Sequence, residues 1–216
     1  MSEAERILCE GAELMSIPIS ESQVQQLLSY HSLILKWNKV YNLSAIRDPL
    51  ESIKKHFLDS LSILNFIKPG LLLDVGSGAG LPGIVIAIMK PKTKVFVIDS
   101  IGKKCRFMQT VKTELSLENL IVINCRVESF EPEESFSQIT TRAFADVGKT
   151  VELTKHLISN KGRYLLMKGD NINEENIENI NAQLHLLKVP FVSDNRSLLE
   201  IHIEFSYANS RLSLPY

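Results

Sequence analysis

Several marks of specialised protein classes are missing from this chain. Its 216 residues include only three cysteines, Cys9, Cys105 and Cys125, which are odd in number, scattered and never in Cys-x-x-Cys. That pattern excludes a disulfide scaffold and predicts no metal site. It fits reduced thiols in a cytoplasmic protein. No long hydrophobic run is present. The longest, around Ile84–Met89, is far too short to span a bilayer. Glu3, Glu5, Glu10 and Glu13 argue against a signal or transit peptide among the first 20 residues. Bulk charge is nearly absent, at −1, so the chain as a whole is not a basic coat for nucleic acid. There is no internal repeat and no low-complexity stretch. What remains is an ordinary soluble composition, 44% hydrophobic and 23% charged. The length suffices for one α/β domain with a substantial core and a helical extension.

The charge is segregated. Residues 90–112 carry seven basic residues (Lys90, Lys92, Lys94, Lys103, Lys104, Arg106 and Lys112) against Asp99 alone. Residues 36–56 carry Lys36, Lys39, Arg47, Lys54 and Lys55 against Asp48 and Glu51. Acid gathers at Glu128–Glu134 and Asp170–Glu178. Such segregation permits a basic face for phosphate contact, although for any single lysine a solvated helix surface is an equal reading.

The first 69 residues read as a helical layer. Glu3–Leu14 forms a short helix. Ser20 and Gln23 form a capping box before Val24, Leu27, Leu28 and Leu35. Asp48 and Pro49 open another helix, with an apolar stripe at Ile53, Phe57, Leu61 and Leu64. Residues 70–216 then alternate strand and helix. Strands are expected at Leu71–Val75, Lys94–Ile98, Leu120–Asn124, Gln138–Thr141 and Gly162–Lys168. Helices are expected at Leu81–Met89, Lys103–Leu115, Val147–Ser159 and Asn173–Leu184. Leu187–Val192 and Leu198–Phe205 predict an antiparallel pair, because Leu199, Ile201, Ile203 and Phe205 alternate with Glu200, His202 and Glu204. The expected fold is an α/β, Rossmann-like sheet, mostly parallel, closed by an antiparallel C-terminal hairpin, with the helical layer packed on it as one structural unit.

The most informative stretch is Leu72–Gly83, a buried strand running into a loop with glycines at alternate positions. A dinucleotide fingerprint, Gly-x-Gly-x-x-Gly, aligned on Gly76 and Gly78 would place its third glycine at Leu81, a bulky residue. The register here is Asp74-x-Gly76-x-Gly78-x-Gly80. It looks like the first motif of AdoMet-dependent methyltransferases. A bare glycine backbone lets an amino acid joined to adenosine lie against the strand ends, with Asp74 facing the ammonium end. The next strand ends in Asp99, 23 residues after Gly76, placed to accept hydrogen bonds from ribose hydroxyls. The expected cofactor is S-adenosyl-L-methionine (AdoMet).

Two further motifs are missing after the fourth strand. The stretch Thr140-Thr-Arg-Ala-Phe-Ala145 holds neither the Asn/Asp-Pro-Pro-aromatic segment common in enzymes that methylate exocyclic amines nor the cysteine nucleophile needed at pyrimidine C5. An acceptor needing neither is favoured. Guanine N7 has a free lone pair and no proton, so positioning supplies most of the catalysis.

The sequence resembles the bacterial 16S rRNA guanine-N7 methyltransferase family, also called the glucose-inhibited division protein B family. The resemblance rests on Trp37–Leu43, Arg47–Pro49, His56–Ser60, Asp74–Gly83, Asp99–Lys103, Arg126–Glu128, Thr141–Phe144 and Lys168-Gly169, in order. It implies AdoMet contacts at Gly76, Leu81, Val127, Glu128 and Arg142. It implies as substrate a guanine at the 527-type position of a conserved loop in 16S rRNA of the small ribosomal subunit. Val127-Glu128 follows the third strand, where adenine is usually held, and Arg142 ends the fourth. His56 and Asp59 lie i, i+3 on one helix face and suit a substrate-side role. Lys168, ending the fifth strand, suits a phosphate. Trp37 and Tyr41 suit core packing better than stacking on a splayed base. No stable protein partner is implied, and a cytoplasmic monomer is expected. A small-molecule or protein acceptor, and a catalytically silent AdoMet-binding module, remain alternatives at this point.

Overall fold

The computed structural model describes residues 1–169 and 182–203. The N-terminal layer starts with helices α1 (Glu3–Leu14) and α2 (Glu21–Tyr41). Each begins with a capping box, Ser2 with Glu5 and Ser20 with Gln23, which satisfies orphan amides of the first turn. Next comes α3 (Pro49–Ser52), capped by Asp48, whose Oδ1 accepts from the amides of Leu50 at 2.9 Å and Glu51 at 2.8 Å. The helix then widens into a π turn over Ile53–Leu58 before closing as α4 (Asp59–Leu61).

The strands and helices that follow are β1 (Leu71–Val75), α5 (Gly83–Met89), β2 (Lys94–Asp99), α6 (Gly102–Glu114), β3 (Leu120–Asn124), β4 (Phe136–Arg142), α7 (Val147–Thr154), β5 (Ile158–Lys168), β6 (Ala182–Leu187) and β7 (Arg196–His202). They form one sheet in the order β3-β2-β1-β4-β5-β7-β6. The first five are parallel, and β7 and β6 close the edge antiparallel. The chain leaves β1 toward β2 on one side and returns to β4 on the other. That reversal opens a crevice beyond the carboxyl ends of β1 and β4, where ligands of open α/β sheets bind.

Side chains alternate across the sheet, so each face has its own core. On one face Leu27, Tyr30, Ile34, Phe57 and Leu61 of the helical layer pack with Ile84, Phe107, Met108 and Leu165 in a single cluster. On the other, Leu73, Val75, Ile139, Tyr164 and Leu166 pack with Val147.

The C-terminal third differs from the sequence expectation. Helix α7 stops at Thr154 rather than Ser159, and β5 starts at Ile158 rather than Gly162. The helix expected over Asn173–Leu184 falls mostly outside the described residues, and its last three positions are strand. The hairpin's first strand is Ala182–Leu187, not Leu187–Val192. Pro190 lacks an amide for a ladder, so the latter segment turns instead. Glu200, one of the polar residues in the alternation expected over Leu198–Phe205, is buried, paired with Arg163 at 2.6 Å and with His185 at 3.0 Å.

Candidate active site

Two cavities open at the carboxyl ends of the strands and share the wall Ala143-Phe144-Ala145. The smaller, about 430 Å³, is lined by Gly76, Asp99, Ile101, Lys104, Cys125, Val127 and Glu128 among others. Gly76 opens a loop that backbone hydrogen bonds hold to β2 and to itself. Gly76 and Ser77 donate to Ile98 O at 2.9 and 3.1 Å, and Gly80 donates to Ser77 O at 2.7 Å. Asp99 fastens this loop to β2. Its Oδ2 accepts from Gly78 N at 3.0 Å and its Oδ1 from Ile101 N at 2.9 Å, with Lys104 Nζ 3.4 Å away. Oδ2 thus has two donors, whereas Oδ1, with one, keeps acceptor capacity to spare.

Gly76 has φ +66°, and a Cβ there would stand 2.5 Å from the ring of Phe144. Two conditions therefore demand glycine, a left-handed backbone and a ring laid against it. Ala143 causes the second. At φ +55° it turns the chain sharply after β4 and folds Phe144 back onto the loop.

The larger cavity, about 760 Å³, is lined by Ser44, Lys55, His56, Asp59, Arg142, Lys168 and Arg196 among others. The π turn organises it. Where that turn gives way to α4, two helix carbonyls take side-chain donors. Ser60 Oγ donates to His56 O at 2.6 Å, and Arg142 Nη1 donates to Lys55 O at 3.2 Å. The same Nη1 reaches Asp59 Oδ2 at 3.2 Å, while Arg196 Nε donates to Asp59 Oδ1 at 3.1 Å. One carboxylate thus holds two guanidinium groups. π turns recur at functional sites because they re-aim side chains and free carbonyls in this way.

His56 is buried at 7% exposure. Burial, with the Arg142 charge beside it, lowers its pKa to about 4. The ring is therefore neutral at neutral pH. Its Nδ1 lies 3.2 Å from Lys55 O and 3.5 Å from Arg142 Nη2, and its Nε2 is hydrogen-bonded to Ser44 Oγ at 2.7 Å.

The sequence-derived candidates divide between the cavities and the frame behind them. Gly76, Asp99, Val127 and Glu128 line the smaller cavity. His56, Asp59, Arg142 and Lys168 line the larger one, with Lys168 Nζ donating to Ala145 O at 3.3 Å. Asp74, Gly78, Gly80 and Leu81 line neither. Asp74 is fully buried. Its Oδ2 accepts from Gly83 N at 2.9 Å, and its Oδ1 has no partner among the described residues. Burial raises its pKa to about 7. It faces the start of α5 rather than either cavity. Trp37 packs on Phe107 at 5.4 Å and on Tyr41 at 5.1 Å, away from both. Sequence reasoning missed Arg196, Ser44 and Phe144. Phe144 sat inside a quoted motif. Arg196 belongs to none, and only the antiparallel return of β7 beside β5 brings it to the site. No cluster of three or more His, Cys, Asp or Glu that could hold a metal occurs among the described residues. No helix there is long and apolar enough to cross a membrane.

A glycine loop at the β1–β4 switch point, with an acid ending β2, defines the Rossmann-like fold of AdoMet-dependent methyltransferases. Solved structures share it. A SAM dependent methyltransferase from Aquifex aeolicus superposes with a TM-score of 0.57 at 16% identity, over 75% of this chain and 97% of that one. P. horikoshii TYW2 in complex with MeSAdo gives 0.55 at 12%, over 68% and 62%. The model of the rRNA small subunit methyltransferase G family matches residues 23–199, and this chain belongs to that family. The ribosomal RNA small subunit methyltransferase G of Ruthia magnifica subsp. Calyptogena magnifica is 52% identical over 196 residues, covering 91% of this chain and 96% of that protein. Its namesake in Methylobacillus flagellatus is 47% identical over 165 residues, 76% and 80% of the two chains.

Proposed function

We propose that this protein methylates N7 of a guanine in 16S rRNA, at the 527-type loop position, by direct in-line transfer from AdoMet without a covalent intermediate. One observation carries the reading: a cavity suited to a nucleoside and a cavity with four basic side chains meet at a single wall, Ala143-Phe144-Ala145. The residues present fit AdoMet. The Gly76 cradle would be filled by a Cβ, Asp99 offers acceptors to ribose hydroxyls, and Val127 and Glu128 offer an apolar and a polar contact to adenine. Bound there, the cofactor supplies a methyl group on a sulfonium, open to a lone pair in line.

The larger cavity supports an acceptor that gives up no proton. His56 is neutral and its Nε2 is occupied by the Ser44 hydroxyl. Asp59 is spent on Arg142 and Arg196. No cysteine lines this cavity. These groups position rather than exchange protons, which suits the bare N7 lone pair. Lys55, Arg142, Lys168 and Arg196 outweigh Asp59 and Asp146 in charge, as an RNA phosphate backbone requires. Away from the cavity, the packing of Trp37 on Phe107 makes a second basic area. It joins α2, bearing exposed Lys36 and Lys39, to α6, bearing exposed Lys103 and Arg106, and so brings together two basic stretches far apart in sequence. We read residues 1–69 and 70–216 as one folding unit, because the larger core contains both.

The test is transfer from labelled AdoMet to small ribosomal subunits, to naked 16S rRNA and to total cell protein. Label in the RNA of one of the first two supports the proposal. Label only in protein, or in small molecules, overturns it.

A further inference from the structure

Tyr30 lies on α2, outside every motif that marks the cofactor site. It is fully buried, and its hydroxyl donates to Ala79 O at 2.5 Å, in the middle of the glycine loop. A Cβ on Gly80 would stand 3.1 Å from the Tyr30 hydroxyl oxygen. Burial pushes the phenol well above the ordinary tyrosine pKa, so it remains a donor throughout the physiological range.

Phenylalanine would fill this space almost as well and would avoid burying a hydroxyl, which costs free energy unless it is bonded. The bond in turn removes an orphan, since Ala79 O sits in a core with little access to water. The ring has two aromatic neighbours of consequence. Phe57, edge-on at 5.3 Å, follows His56 on the π turn. Phe107, stacked at 6.3 Å, is on α6, directly after the strand whose last residue, Asp99, holds Gly78. A single phenol therefore touches the glycine loop, the helix bearing His56 and Asp59, and the helix that follows Asp99.

We propose that Tyr30 is a positioning residue for the cofactor: its hydroxyl fixes the Ala79 carbonyl, and with it the glycine-loop shape against which AdoMet lies. Its ring ties that shape to the substrate-side helix. The proposal rests on the methyltransferase reading above. It gives the helical layer a part in cofactor binding that no residue of that layer could take by direct contact with the smaller cavity, because none lines it.

The test compares Tyr30→Phe with Tyr164→Phe. Tyr164 is equally buried, and its hydroxyl bonds Thr154 Oγ1 at 3.0 Å in the opposite core, away from both cavities. Calorimetry gives Kd for AdoMet and S-adenosylhomocysteine, initial rates give separate KM values for AdoMet and for small subunits, and melts give stability. Tyr30→Phe should weaken both ligands by about fivefold to tenfold, the scale of one net hydrogen bond. KM for AdoMet should rise in proportion. KM for subunits should stay at the wild-type value, and Tyr164→Phe should bind both ligands normally at a comparable Tm. Wild-type affinity in Tyr30→Phe, or an equal loss in Tyr164→Phe, would overturn the proposal alone. A wild-type protein that bound neither ligand would overturn the methyltransferase reading and this proposal together.

Discussion

The smaller cavity is made of short contiguous segments that each mark themselves in the sequence, whereas the larger one gathers residues from six separate places. Gly76, Asp99 and Val127-Glu128 each end or follow a parallel strand, and a parallel strand end always points to the same side of the sheet. Knowing the strands is then nearly enough to know the site. The larger cavity takes Ser44 from the loop after α2, Lys55 and His56 from the π turn, Asp59 from α4, Arg142 from β4, Lys168 from β5 and Arg196 from β7. The two also differ in charge. Around the smaller one Asp99 and Glu128 balance Lys104 and Arg126, while four basic side chains outnumber Asp59 and Asp146 around the larger. Under the proposed function, cofactor recognition rests on local backbone shape and substrate recognition on long-range assembly.

The largest effect should come from filling the glycine cradle. Gly76→Val places a β-branched side chain at φ +66° and into the ring of Phe144, so AdoMet binding should fall below detection by calorimetry. Gly78→Ala is the milder contrast. Its Cβ would meet only Gly76 O at 3.9 Å, which leaves the φ of +60° as the main cost, about 1–2 kcal/mol. Equal losses in the two variants would mean that the Phe144 contact is irrelevant.

Asp59→Ala should show the opposite selectivity. It leaves Arg142 and Arg196 without their shared carboxylate, while the glycine loop is untouched. Both arginines keep some solvent access, so the stability loss should be about 1–3 kcal/mol rather than that of a fully buried pair. Methyl transfer should drop tenfold or more, with AdoMet affinity within about twofold of wild type. Weakened cofactor binding with normal subunit binding would remove the distinction between the cavities.

Stability should report Asp74 separately. Its folded pKa is about 7, above its unfolded value, so the folded state binds the proton more tightly. Its contribution is therefore fully present below about pH 4 and lost as pH rises toward 7. Asp74→Asn keeps an acceptor for Gly83 N and abolishes that loss. Its unfolding free energy relative to wild type should be higher at pH 8 than at pH 5, by on the order of a few kcal/mol at most. The reverse trend would show a carboxylate stabilised in the ionised form.

The same contrast explains what was legible beforehand. The helical layer, the capping box at Ser20, the N-cap at Asp48, the five parallel strands and the glycine loop follow from local rules of capping and periodicity, and all are found. The hairpin was anticipated but misplaced. Ala182–Leu187 has no clean alternation, and Leu184 and Leu186 are exposed on the edge strand, so the apolar pattern pointed downstream instead. The burial of Glu200 was not legible for a related reason. Its partner, Arg163, lies 37 positions upstream and pairs with it inside the fold. Arg196 and Tyr30 act through partners far away in the chain, Asp59 and Ala79, and no local spacing announces such pairs.

Among the smaller effects, Lys55→Ala should lower RNA affinity and make its salt dependence shallower by up to about one unit of slope, the signature of one lost phosphate contact. Both lysines are paired, Lys55 with Asp194 at 3.1 Å and Lys54 with Glu51 at 2.9 Å, but only Lys55 lines the larger cavity, so Lys54→Ala should change less. Equal slopes in the two variants would place the RNA elsewhere.

The central claim is methylation at guanine N7, and the product itself distinguishes it. Methyl transfer to N7 leaves a positive charge on the ring, and borohydride followed by aniline then cleaves the RNA at that nucleotide. Small subunits from cells lacking the gene, incubated with the purified protein and AdoMet, should gain one cleavage site in 16S rRNA, located in the 527-type loop. Incorporation of the methyl group without a new cleavage site would place it on an exocyclic amine, a carbon or a ribose, and would contradict the account.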